Sequence, residues 1–284
     1  MNAARLVNGI LWRMEKFFSR TRIRWFKTLY INFRTLPFSQ AIRLPIYIYG
    51  HVKFYCLSGK IVIFGPISRG MIKFGYQQGS FSAPTRSAMI LLDQGTELIF
   101  NGPCMFDFDY AVRLTGKSNV NIGAHVVFGH DVKIYSEESI TIGDYCRVAF
   151  GSCFIDTNYH YSIELSNGAV RKKSAPIEIG RYNWIGNTST IMKGTRTPEG
   201  TIIASKGFLN KNYVKLGEGG TNIVLAGSPA NIVQKGYARI LCLEMEKNIN
   251  EWFATHPGEK ECLAGDLSHD YRVNDAYRDL FNRI

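Results

Sequence analysis

The chain has 284 residues, 45% of them hydrophobic and 20% charged, which excludes an intrinsically disordered chain and leaves room for one large domain or two small ones. Its net charge of +11 is local: residues 1–45 hold nine Lys or Arg against one acid, Glu15, so the remaining chain is close to neutral and no nucleic-acid partner is expected. No apolar run reaches the roughly 18 residues that span a bilayer, the N-terminus is too charged for a signal peptide, and the six cysteines form no CxxC pair, as suits reduced thiols in a cytoplasm.

Taken in order, residues 3–33 place Val7, Ile10, Leu11, Met14, Phe17, Phe18, Trp25, Phe26, Leu29, Tyr30 and Phe33 at helical intervals with basic residues between them. This predicts a basic amphipathic helical arm over 1–45, broken by Pro37 and Pro45, whose apolar stripe either packs on the body or meets an anionic membrane surface, the inner face for a cytoplasmic protein. From residue 46 the pattern changes. "GKIVIFG" (59–65) and "GMIKFG" (70–75) introduce apolar-polar-apolar triplets closed by Gly, and the same figure returns as "LIFNG" at 98, "VNIGA" at 120, "ITIGD" at 140 and "IEIGR" at 177. The first three of that set start 22 and 20 residues apart and the fourth 37 later, so an insertion over 156–174 interrupts an otherwise steady period.

Within each unit an apolar residue opens nearly every hexad, often followed by a small one, as in "IGRYNW IGNTST IMKGTR". A helix would space apolar residues by three and four. A six-residue period taken three times per turn instead describes short strands joined by tight corners, with the opening Ile, Val or Phe stacked inward on its counterparts in neighbouring coils. The beat runs to "AGSPANIV" (226–233), after which Ile240, Leu241, Met245, Ile249, Trp252 and Phe253 predict a helix from about 236 to 253, followed by a mixed-charge tail. The organisation expected is an arm (1–45), a β-solenoid (46–236) and a C-terminal helical extension (237–284).

The insertion carries His160, its single histidine, four residues after Asp156. A neutral imidazole can take a proton from a hydroxyl near neutral pH, and a carboxylate can orient its other nitrogen. Asp156, His160 and Arg171, followed by "PIEIGRYNWIG" (176–186) and "AGSPANIV", give residues 115–236 a resemblance to the hexapeptide-repeat acyltransferases, and among them to sugar and polysaccharide O-acetyltransferases. The resemblance implies an all-β solenoid, a left-handed parallel β-helix flanked here by α-helical segments. It implies acetyl-coenzyme A as donor, a glycan hydroxyl as acceptor, no metal, and a homotrimer with the cofactor in a groove between prisms. By position it assigns His160 as general base with Asp156 behind it, the Asn187 backbone N–H to the thioester carbonyl, and Arg171 and His130 to the acceptor. Trp184, Ser205, Ala226, Gly227 and Ser228 fall to the coenzyme A arm, and Lys211, Lys235 and Arg239 to its phosphates.

This sequence departs from the family in Lys206, Asn231 and the extra stretch "YVKLGEGGTN" (213–222), which bear on the phosphate contacts and the last coil. Other readings are a sugar N-acetyltransferase on the same scaffold, a non-catalytic β-helix organising a membrane-bound glycan complex, or a zinc hydratase resembling the gamma carbonic anhydrases. For the last, His125 and His130 are five apart, but "TRSAMILLDQG" (85–95) offers no third histidine.

Overall fold

The hexads close into a three-sided prism. In a computed structural model of the chain, which describes residues 22–77, 87–263, 271–272 and 275–282, strands of two to six residues follow one another around three sheets of nine, seven and six strands. Each strand pairs in parallel with its counterpart one coil away, and the architecture is the left-handed parallel β-helix expected from the sequence. The repeat alignment gives the register directly: Leu98 pairs with Val120, Val120 with Ile140 and Ile140 with Ile177, the last step crossing the insertion.

The interior is built of like on like. Ile90, Val112, Ile134, Phe154, Ile191 and Leu209 form one buried ladder. On the nine-stranded face Phe74, Phe106 and Phe128 stack with ring centroids 4.7 and 4.3 Å apart and planes within 17° and 15°. Phe106 has a ring on each side, so Phe106→Ala opens a cavity that neither neighbour can fill. The expected cost is about 3–5 kcal/mol, read as a lower urea midpoint with unchanged slope. An unchanged midpoint would mean that the column is not packed this way. The glycine that closes many triplets is there for close approach rather than for unusual dihedrals: a Cβ on Gly186 would lie 2.6 Å from both the Ser205 nitrogen and the Ile203 oxygen of the next coil.

The ends are closed by different devices. Helix α1 (Trp25–Thr35) and the single turn α2 (Phe38–Ala41) cover the first coil, with Pro37 between them; the expected helix over 3–21 lies outside the described residues. At the other end the extra stretch forms the turn α3 (Tyr213–Leu216), whose buried Tyr213 lies under the last coil and donates its hydroxyl to Ala230 O at 3.1 Å. The solenoid then stops in an antiparallel hairpin, Ile223–Gly227 with Ala230–Lys235.

Two features of the C-terminal region depart from expectation. The predicted helix begins later, as α4 (Leu243–Thr255), because Cys242 accepts from the Met245 N–H through its Sγ and starts it there. The mixed-charge tail contains a further helix, α5 (Asp275–Asn282). Its Tyr277 and Phe281, with Leu241, bury Met105 and Val127 on the outer side of the nine-stranded face. Buried Lys73 reaches the end of this helix and donates to Phe281 O at 2.9 Å. Among the described residues no helix is long and apolar enough to cross a membrane, and all six cysteines are free thiols.

Candidate functional site

The insertion leaves the prism where the seven-stranded face turns into the six-stranded one, and its base is tied tightly. The strand Cys153–Ile155 ends in Asp156, whose buried carboxylate accepts from the Ser136 hydroxyl at 2.7 Å and from the backbone N–H groups of Glu137 and Glu138 at 2.8 and 3.0 Å. Burial pushes the Asp156 carboxyl above its ordinary range, and these three donors pull the other way. Thr157 bridges to Ser174, Asn158 N donates to Lys173 O at 2.8 Å, and Glu137 joins both arms by accepting from Thr157 Oγ1 at 2.8 Å and pairing with Lys173 at 2.7 Å. Beyond this neck runs a small hairpin, Ile163–Glu164 with Ala169–Val170.

This geometry corrects the expected role of Asp156. Its two oxygens are occupied by the preceding coil, so it does not orient His160; it holds the neck from which His160 is displayed. Asp156→Asn replaces one acceptor oxygen with an NH2 facing donors. The expected loss is about 1–3 kcal/mol, read in thermal melts and as faster amide exchange over 157–174. Unchanged stability and exchange would contradict that anchoring role.

His160 itself is exposed, its backbone N–H turned to Asn158 O at 2.7 Å, next to Tyr159, which lies over the Arg113 guanidinium at 5.5 Å. Arg171 is on the return strand of the loop, almost fully exposed, 3.9 Å from Glu164.

A second feature occupies the opposite edge of the seven-stranded face. Where each coil turns from the nine-stranded into the seven-stranded face, Gly129, Ala149, Gly186 and Ala204 donate their N–H groups to the next coil at 2.7–2.9 Å. The residues that follow are His130, Phe150, Asn187 and Ser205. The carbonyls of His130, Phe150 and Asn187 each accept from the next coil at 2.8 Å, but their own N–H groups, and that of Ser205, meet no acceptor among the described residues. Coils repeat at about 4.8 Å, so four unpaired donors line this edge beside a strip of small side chains. The last parallel strand continues past Leu225 to Ala226 and Gly227 on the same edge, next to Ser228. His130 stands here with its Nε2 3.8 Å from buried Asp109. Asn187, Ser205, Ala226, Gly227, Ser228 and His130, chosen separately from the sequence, therefore fall on or beside one edge; Phe150 and the repetition of the unpaired N–H groups were not foreseen.

Other expected residues lie elsewhere. Trp184 is on the outer side of the nine-stranded face, where the chain's own Arg239 covers its ring at 4.9 Å. A cleft of about 510 Å³ between Trp184, Ile240, Glu246 and Ile249 opens beside it. Burial, with Arg147 nearby, holds the Arg239 guanidinium below its ordinary value. Lys211 donates to Asn231 Oδ1 at 2.9 Å, and Lys235 is exposed on the final strand. His125 is stacked on Tyr145, centroids 5.0 Å apart, at the opposite end of the strand Val126–Phe128 from His130. Among the described residues no group of three or more His, Cys, Asp or Glu is placed to hold a metal ion.

No protein-family model matches the chain. It is 27% identical over 119 residues to the galactoside O-acetyltransferase of Escherichia coli (strain K12), covering 42% of this chain and 55% of that protein, so the chain spans about half the length of the curated relative it matches. This similarity bears out the resemblance to hexapeptide-repeat sugar acetyltransferases read from the sequence. Among solved structures, the polySia specific acetyltransferase NeuO aligns at TM-score 0.44 and 16% identity, over 75% of this chain and 84% of that one. The polysialic acid O-acetyltransferase OatWY aligns at 0.40 and 20%, over 72% and 94%. AntD, an N-acyltransferase from Bacillus cereus in complex with dTDP and coenzyme A, aligns at 0.35 and 12%, over 74% and 89%.

Proposed function

We propose that the protein transfers an acetyl group from acetyl-coenzyme A to a hydroxyl of a sugar, in a surface polysaccharide or a related glycan precursor. The observation that carries this reading is the edge of unpaired backbone N–H groups at His130, Phe150, Asn187 and Ser205, flanked by small residues. Such an edge suits a thin chain with amide and thioester carbonyls at intervals, which is the form of a pantetheine arm. Bound acetyl-coenzyme A supplies the activated acetyl group. His160 accepts the proton of the acceptor hydroxyl as its oxygen attacks, and later returns it to the departing thiolate. The Asn187 N–H faces the carbonyl oxygen as negative charge builds on it.

One chain does not bring these parts together. Lys193 donates to Lys172 O of the loop at 2.7 Å and so marks the loop's edge; from Asn187 to Lys193 the backbone crosses the seven-stranded face through the strand Thr190–Met192. Six residues of extended chain correspond to roughly 20 Å. The reading therefore includes a closed homo-oligomer, a trimer for prisms packed side by side, in which the loop of one copy meets the amide edge of the next. The test is an assay of coenzyme A release and acetylated product with sugars bearing hydroxyl acceptors and matched amino sugars. Product from the hydroxyl acceptors supports the proposal; exclusive acetylation of the amino sugars, or no transfer to any of them by folded protein, would overturn it.

A further inference from the structure

Helix α1 is built inside out. Its buried residues are Thr28, Ile31, Asn32 and Thr35, three of them polar, because the helix closes the free edge of the first strand (Ile46–Ile48), which ends the nine-stranded sheet. Asn32 Nδ2 donates to Ile46 O at 2.7 Å, Ile46 N donates to Asn32 Oδ1 at 3.2 Å, and Ile48 N donates to Thr28 Oγ1 at 3.0 Å. Polar side chains thus stand in for the missing neighbouring strand, and the aromatic side of the helix is turned away from the protein. Phe26 is 92% exposed and Phe38, just beyond the helix, 73%, with Leu29, Tyr30, Phe33 and Ile42 about half exposed. Around them stand Arg22, Arg24, Lys27, Arg34 and Arg43, and residues 22–45 contain no acid.

We propose that this face docks on an anionic phospholipid surface. Aromatic and aliphatic side chains enter the boundary between headgroups and acyl chains while the surrounding guanidinium and ammonium groups meet lipid phosphate and carboxylate. The charge decides against a second copy as occupant, since face-to-face packing would set five cations against five others with no acid between them. Position decides against the side-by-side oligomer contact: α1 lies beyond the end of the prism, and copies packed along their sides leave it open. The first 21 residues add Arg5, Arg13, Lys16 and Arg20 against Glu15 alone, the same sign again.

Vesicle flotation of the full chain tests this. Partition onto phosphatidylcholine vesicles containing about 30% phosphatidylserine is expected to exceed partition onto phosphatidylcholine alone by at least about tenfold, and to fall when salt screens the charge. The double variant Phe26→Ser, Phe38→Ser should lose about tenfold or more of that binding, with melting temperature and oligomeric state unchanged. Equal partition onto the two vesicle types, no partition by folded protein, or binding unaffected by the double substitution would each overturn the proposal. So would a double variant that melts lower or changes oligomeric state while floating as before, because the chain itself or a second copy would then cover the face.

Discussion

His160→Ala is expected to lower acetyl transfer by about 10² to 10⁴, the span of a positioned general base, with coenzyme A affinity and melting temperature unchanged. The separation follows from the architecture. His160 is displayed on an exposed turn beyond the neck held by Asp156, Thr157, Glu137 and Lys173, and its removal takes nothing from the stacked interior. The donor edge lies across the seven-stranded face and contains no part of the loop. Turnover and coenzyme A affinity measured on one preparation check this. Full turnover would remove His160 from the chemistry and turn attention to His130, which stands beside the amide edge.

Asn187→Pro is expected to cost about 10² to 10³ in turnover, the loss that follows removal of one oxyanion donor. Proline lacks the N–H and keeps the carbonyl. In this chain that N–H has no protein acceptor among the described residues, so the substitution removes no internal hydrogen bond, and the Asn187 carbonyl can still accept from Lys206 N. Ser205→Pro, one coil further on, should raise the KM for acetyl-coenzyme A more than it lowers kcat, because that N–H is assigned to the arm rather than to the reacting carbonyl. Steady-state kinetics on variants whose melting temperatures match the parent distinguish the two. Unchanged kcat in folded Asn187→Pro would show that the charge is stabilised elsewhere.

Much of the prism was legible because its period is imposed by stacking. Leu98, Val120, Ile140 and Ile177 must coincide if each coil is to bury its triplet on the last, and they do. The same logic located the excursion, since a chain that loses the period and regains it in register must leave the wall and return. What the pattern did not reveal were polar residues used as structure. Asp156 reads as a catalytic partner by its spacing from His160. It stands, however, at the end of an inward column, Leu92, Leu114 and Ser136, where a carboxylate facing a hydroxyl and two turn amides seals a corner. Thr28 and Asn32 likewise look like the solvent side of α1 and are its buried side, because an open strand edge needs donors and acceptors more than apolar surface. Helix α5 escaped notice since its apolar contribution is little more than Tyr277 and Phe281, one turn apart among charged neighbours. Trp184 matched its motif, but no motif within the solenoid announces that Arg239, 55 positions later, lies over its ring.

The central claim is that the loop of one copy and the amide edge of another make one site. Coexpression of His160→Ala with Asn187→Pro under different tags, followed by tandem purification of mixed oligomers, tests it most directly. Sites that draw His160 from one copy and Asn187 from its neighbour are restored wherever the intact halves meet, about a quarter of sites in randomly mixed closed rings. The mixed oligomer should therefore regain transfer far above either variant alone. Activity no higher than that of the separate variants, in oligomers shown to contain both chains, would contradict a site shared between copies.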